Sequence, residues 1–187
     1  MRVLAVSGSL RENSYNTALA RAARELAPAG VEVEVFDRLR EIPHYEADLD
    51  LEGDAAPAAV QDLRERIADA DALLFVTPEY NGSVSGVLKN AIDWASRPPR
   101  GGAALFGKTA AVAGATTGQY GAMWAQQDLR RILGIAGARV MAGELPVARA
   151  ENAFDDEGRL VDPFVAERLR AHLESLAREA AVVPAAA

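Results

Sequence analysis

The stretch Ala72-Leu73-Leu74-Phe75-Val76-Thr77-Pro78-Glu79-Tyr80-Asn81-Gly82-Ser83-Val84-Ser85-Gly86 decides the fold. It opens on a continuous apolar run, the pattern of a strand buried on both faces at the centre of a sheet. Val87, Leu88, Ala91, Ile92 and Ala95 follow at helical spacing, and Pro98-Pro99 marks where that helix must stop. The predicted order is strand, tight loop, helix. Pro78 fixes one backbone angle while Gly82 and Gly86 permit unusual ones, which leaves backbone amides free to approach a flat ligand.

Working outward, the same alternation repeats. Val3 to Val6 is a short apolar run ending in Gly8-Ser9, and Ala18, Leu19, Ala22, Ala23 and Leu26 then recur at helical spacing behind an N-cap at Asn13 or Ser14. Val31, Val33 and Val35 alternate with Glu32 and Glu34, as in a half-exposed strand near a sheet edge. Val60, Leu63, Ile67 and Ala68 mark a second helix, Thr109 to Gly114 a fourth strand, Met123 to Leu133 a helix and Arg139 to Met141 a fifth strand. Val165, Leu169, His172, Leu173 and Leu176 form the stripe of a last helix. Strands alternating with helices imply parallel pairing and right-handed crossovers. The predicted fold is α/β: a flavodoxin-like, doubly wound, five-stranded parallel sheet of order 2-1-3-4-5 with helices on both faces. Residues 1–181 read as one domain and 182–187 as a frayed tail. The acidic segment from Asp37 to Pro57 has little periodicity and is long enough that a packed domain gives it a job or lets it move. Within it Glu46 to Asp54, whose carboxylates have no ordered spacing, reads as a solvated or subunit-facing loop.

Composition narrows the function. Half of the 187 residues are apolar, enough for a continuous core, and 27 acidic against 20 basic residues give a net charge of -7. With no basic run longer than Arg130-Arg131, nucleic acid is not an expected partner. The absence of cysteine removes disulfides, thiolate nucleophiles and iron–sulfur clusters, so redox chemistry would need an organic cofactor. The apolar run at Val3 is too short for a signal peptide and no 18-residue apolar span occurs, which points to a cytoplasmic protein without a membrane. His44 and His172 lack partners at metal-ligand spacing, and no metal site is expected.

In a 2-1-3-4-5 sheet the ligand crevice lies at the carboxyl ends of strands one and three, where the order reverses. Three loops would meet there: Ser7 to Asn16, Thr77 to Gly86, and Ala115 to Gly121. The first offers hydroxyls, the Arg11 guanidinium and the amides of a helix N-terminus, a set suited to a phosphate monoester. Read alone, Ser9, Ser14 and Asn16 could equally cap a helix. No Gly-x-Gly-x-x-Gly follows the first strand, and no Gly-x-x-x-x-Gly-Lys-Ser/Thr loop is read in the chain, which disfavours a dinucleotide-fingerprint fold and a P-loop enzyme.

Gly8-Ser9-Leu10-Arg11, Ser14-x-Asn16, Pro78-Glu79-Tyr80-Asn81-Gly82-Ser83 and Leu88-Lys89-Asn90-Ala91-Ile92-Asp93-Trp94 together resemble the NADPH-dependent FMN reductase family, which includes bacterial quinone and chromate reductases. The resemblance runs from residue 1 to about 145. It implies that Ser9, Arg11, Ser14 and Asn16 hold the phosphate of FMN, that Pro78, Glu79, Tyr80, Asn81 and Gly82 lie along its ribityl chain and ring, and that Thr117, Gly118 and Tyr120 approach from the other side. Gln119-Tyr120 is bulkier than the small residues usual in the family's third loop. The implied activity is hydride transfer from NADPH or NADH through flavin N5 to a quinone, a free flavin or another small acceptor in a ping-pong cycle, with no catalytic acid or base from the protein. Family members are usually dimers or dimers of dimers. The apolar helix Val84 to Arg97, with Trp94 as core or interface, agrees with a homodimer or homotetramer. Two rivals share the fold: a flavodoxin-type electron carrier without NAD(P)H turnover, and a phosphate-binding module or hydrolase.

Overall fold

The computed structural model describes residues 1–50, 56–97 and 102–182. Pro98-Pro99, Leu51 to Ala55 of the acidic segment and residues 183–187 of the expected tail lie outside the described residues. In chain order the main elements are β1 (Arg2–Ser7), α1 (Tyr15–Glu25), β2 (Glu32–Phe36), α2 (Ala58–Asp69), β3 (Ala72–Val76), β4 (Glu79–Tyr80), β5 (Ser83–Val84), α3 (Gly86–Ala95), β6 (Thr109–Ala115), α4 (Met123–Ile135), β7 (Arg139–Val140), β8 (Leu145–Val147), α5 (Ala150–Ala153) and α6 (Pro163–Ala181).

The main sheet runs β2-β1-β3-β6, and both β7 and β8 pair with β6 on its far side; every pairing is parallel. The order is therefore 2-1-3-4-5, with the fifth position shared by two short strands. The second of them, β8, escapes a reading by periodicity because Pro146 sits in its middle and it is only three residues long. Side-chain alternation divides the core in two. Ala72, Leu74 and Val76 of β3 pack with α1 and α6, while Leu73 and Phe75 pack with α2, α3 and α4. The helices thus cover both faces of the sheet. Among the described residues no helix is long and apolar enough to cross a membrane.

The break between β7 and β8 leaves Ala111 and Val112 without a strand beside them on that side. His172 of α6 fills the gap: it is buried, and its Nε2 lies 3.0 Å from the Val112 carbonyl. The same helix sends Arg168 Nη1 to the Pro146 carbonyl of β8. Burial pushes the His172 imidazole below the ordinary histidine range, so the neutral ring with Nε2–H donating is the form that completes the ladder.

The first part of the acidic segment is given a structural job, while Glu46 to Leu49 are exposed, as expected of a solvated stretch. Leu39 and Ile42 are buried, Asn90 of α3 donates its amide to the Pro43 carbonyl and accepts from the Tyr45 N–H, and Trp94 Nε1 donates to the same carbonyl. Arg64 binds both Asp50 carboxylate oxygens. The apolar excess on α3 is used here. Trp94 is fully buried within the chain, against Tyr45 edge to face, and offers nothing to a subunit surface.

The string Gly102-Ala103-Ala104-Leu105-Phe106-Gly107-Lys108-Thr109 does match the P-loop pattern, which corrects the sequence reading. A working P-loop lies between a strand and a helix. Here the string runs into β6 instead, Thr109 is buried, and Lys108 Nζ caps the end of α2 by donating to the Ala68 and Ala70 carbonyls. Its chemistry is that of a helix C-cap.

Candidate functional site

Parallel pairing brings the carboxyl ends of β1, β3 and β6 to one rim, and the three loops leave from there. The first is drawn tight by Gly8, whose N–H donates to the Val76 carbonyl and whose carbonyl accepts from Ser85 Oγ. A Cβ at Gly8 would stand 2.9 Å from Leu88 Cδ2 and 3.0 Å from Ser85 Oγ, so glycine alone permits this approach of loop to helix. Beyond it, the amides of Ser9, Leu10, Glu12 and Asn13 meet no acceptor among the described residues. Ser14 is the N-cap of α1, its side chain accepting from the Asn16 and Thr17 amides. Arg11 stands over the Tyr15 ring and bonds the Asn13 carbonyl through Nη2, with its remaining donors toward solvent.

Asn16 is buried, and both ends of its side-chain amide are committed to Ala115: Nδ2 donates to the carbonyl at 2.9 Å and Oδ1 accepts from the N–H at 2.9 Å. It fixes the start of the third loop against the start of α1.

The second loop is a β-hairpin, not an irregular turn. β4 and β5 pair antiparallel across Asn81-Gly82, whose φ angles of 53° and 72° are those of a mirror-image two-residue turn. Asn-Gly between two short extended pairs is the sequence signal that gives this away. Both strands are anchored to α4. Glu79 Oε2 accepts the Ala125 N–H at 3.1 Å and Ser83 Oγ donates to Asp128 Oδ2 at 2.7 Å. The first turn of α4 has no cap of its own, since Ala122 precedes it in the left-handed region, and Glu79 supplies a carboxylate where the helix dipole favours one.

In the third loop, Thr116 N–H donates to the Val147 carbonyl and Gly118 N–H to Thr116 Oγ1. Tyr120 and Trp124 are exposed, with ring centroids 4.9 Å apart and edge to face.

A cleft of about 220 Å³ opens where the three loops meet. Of the residues marked in the sequence, Ser9, Arg11, Ser14, Asn16, Pro78, Glu79, Tyr80 and Thr117 line it, together with Tyr15, Ala115 and Thr116. Asn81, Gly82, Gly118 and Tyr120 do not line it. The first two form the hairpin tip and the last two the outer part of the third loop. Tyr15 carries no motif signal, and Ala115 and Thr116 reach the cleft because β6 ends there. Free amides, a helix N-terminus and one guanidinium suit a phosphate, and the flat wall of Pro78 to Tyr80 suits a planar ring. The donor set fits the phosphate of FMN.

Such a cleft, at the topological switch point of a doubly wound sheet, with an anion cradle after β1 and an aromatic-bearing hairpin after β3, defines a flavodoxin-like nucleotide-binding protein. The comparisons with known proteins make this specific. The chain belongs to the NADPH-dependent FMN reductase family, whose sequence profile matches residues 1–152. It is 45% identical over 177 residues to an NAD(P)H-dependent FMN reductase of Pseudomonas aeruginosa, covering 94% of this chain and 93% of that protein. It is 38% identical over 175 residues to a quinone reductase of Escherichia coli K12, covering 92% of each. Among solved structures, the flavoenzyme NAD(P)H:(acceptor) oxidoreductase FerB from Paracoccus denitrificans aligns over 97% of both chains with a TM-score of 0.82 and 34% identity.

Proposed function

We propose that this protein is an FMN-dependent NAD(P)H oxidoreductase that reduces quinones or other small acceptors, with donor and acceptor taking the same open place in turn. The net reaction is NAD(P)H + H⁺ + quinone → NAD(P)⁺ + hydroquinone, two electrons and one proton coming from the nicotinamide and the second proton from solvent. Bound FMN would supply the two-electron relay. The observation that carries the reading is the meeting of the first loop's unpaired amides and the β4–β5 hairpin in one cleft.

Ser9, Arg11, Ser14 and the first-loop amides bind the phosphate in this scheme. Asn16 serves it through Ala115, by aligning the first and third loops. Pro78, Tyr80, Asn81 and Gly82 follow the ribityl chain and ring, Glu79 sets the hairpin against α4, and Thr117, Gly118 and Tyr120 border the opposite side. No side chain is needed as an acid or base. The rings of Tyr80, Tyr120 and Trp124 are exposed, and an open face favours turnover over a carrier's covered flavin. Anaerobic mixing of the FMN-loaded protein with NADPH or NADH tests this; bleaching of the flavin band supports it and an unchanged band refutes it.

We also propose that residues 1–181 act as one domain in a cytoplasmic homodimer or homotetramer. Exposed Phe106 and Ile135 border a groove of about 490 Å³ between the ends of α3 and α4, with Lys89, Asp93, Arg97 and Arg131 around it, and such exposed apolar side chains are of the kind subunits cover. Light scattering at a multiple of the 19.8 kDa chain supports this, and a monomer mass overturns it.

A further inference from the structure

A second groove of about 490 Å³ adjoins the cleft. Arg11 and Tyr80 belong to both. One wall is Leu10 of the first loop with Leu39 and Ile42 of the docked acidic segment; the other is Tyr80 and Val87 at the start of α3. The size suits a small ring compound, and apolar walls with a few polar groups are what such ligands bind.

The polar groups divide into two sets. Asn90 and Ser85 are spent on the scaffold, holding the Pro43–Tyr45 backbone and Gly8. Arg40 and His44 are exposed at the groove, and of the Arg40 donors one, Nη2, reaches the Leu10 carbonyl at 2.9 Å, tying the acidic segment to the first loop within one wall. Arg11, Arg40 and His44 all line the groove, and among the described residues no aspartate or glutamate does. In a chain of net charge -7 the two arginines make a local reversal of sign.

We propose that this groove extends the open place that donor and acceptor share, and that it selects planar quinones carrying an anionic substituent, such as a sulfonate or carboxylate. The ring stays at the cleft against Tyr80, its substituent extends toward Leu10 and Ile42, and Arg40 meets the anion with charge-assisted hydrogen bonds. The overall two-electron, two-proton reduction is the one written above; the groove changes only which acceptors enter. The inference rests on the proposed oxidoreductase activity, and the two fail separately.

The test compares 1,4-naphthoquinone with its 2-sulfonate on the FMN-loaded protein. In Arg40→Met the ratio of kcat/KM for the sulfonate to that for the neutral quinone falls about tenfold, the loss of one charged contact, and in Arg40→Lys it stays within about threefold. Calorimetric titration of anthraquinone-2-sulfonate without NADPH gives a Kd about tenfold weaker for Arg40→Met, by the same reasoning. An unchanged ratio, an equal loss on both quinones, or a loss of FMN from Arg40→Met each overturns the proposal. The last outcome would place the groove under the flavin. Failure of wild-type flavin to bleach with NADPH would instead remove the oxidoreductase reading.

Discussion

Two excursions from the sheet flank the same tyrosine, and they are held in opposite ways. The β4–β5 hairpin projects from the rim with Tyr80 about half exposed and is fastened to α4 by two polar contacts, Glu79 to Ala125 and Ser83 to Asp128. The segment Arg38 to Asp50 lies down on α2 and α3, with Leu39 and Ile42 in the core and its backbone gripped by Asn90 and Trp94. Burial makes the second a fixed wall. The first is held by two hydrogen bonds and the half-buried Val84, a lighter hold, and there ligand geometry can be lost with little loss of fold.

The largest effect should come from the buried side. Trp94→Ala removes a fully buried indole and the donor to Pro43, and chemical denaturation should show about 3–5 kcal/mol of lost stability. A loss below about 1 kcal/mol would mean that the segment is not held by burial, since fully burying one large side chain is worth more than that. Asn16→Ala comes next. It strands the buried N–H and carbonyl of Ala115, for an expected cost of about 2 kcal/mol. Equilibrium dialysis should also find weaker FMN retention, because the first and third loops lose their common anchor.

On the hairpin side, Glu79→Ala deletes the remote cap of α4 and should cost about 1 kcal/mol. Its effect on the flavin should exceed its effect on the fold: a shifted reduction potential or faster FMN release, with Glu79→Gln intermediate because it keeps an acceptor oxygen. If retention, potential and turnover all stay at wild-type values, the hairpin is not positioned by this contact.

The smallest effect lies away from both regions, at His172. Its folded pKa is depressed by burial, so below an unfolded value of about 6.5 the unfolded chain binds a proton that the native chain resists. Stability is full above that pH and falls as pH drops toward the folded value. His172→Gln, which keeps an N–H donor, should lessen that acid loss when melting curves at pH 5.5 and 7.5 are compared with wild type. An identical pH dependence would show that the imidazole does not contribute.

Much of this was legible because apolar runs and helical stripes report burial directly. The β1, β2, β3 and β6 strands, the α6 stripe through His172 and the three loops at one rim all follow from it. The missed features have physical reasons too. β8 is too short to show a period, and the Asp37–Pro57 segment has its apolar anchors, Leu39 and Ile42, dispersed among charges. Asn16 reads as a phosphate ligand or a cap at a helix start, and nothing local reveals that its partner is 99 residues away. The Gly102–Thr109 string shows the converse. A pattern can be present and mean a helix C-cap, because the element that follows it is a strand.

The most direct measurement of the central claim is anaerobic stopped-flow spectroscopy of the purified protein reconstituted with FMN. Stoichiometric FMN binding, bleaching of the visible flavin band on mixing with NADPH or NADH, and its return on adding a quinone are expected. A protein that binds no FMN, or whose bound flavin is untouched by either nucleotide, would contradict it.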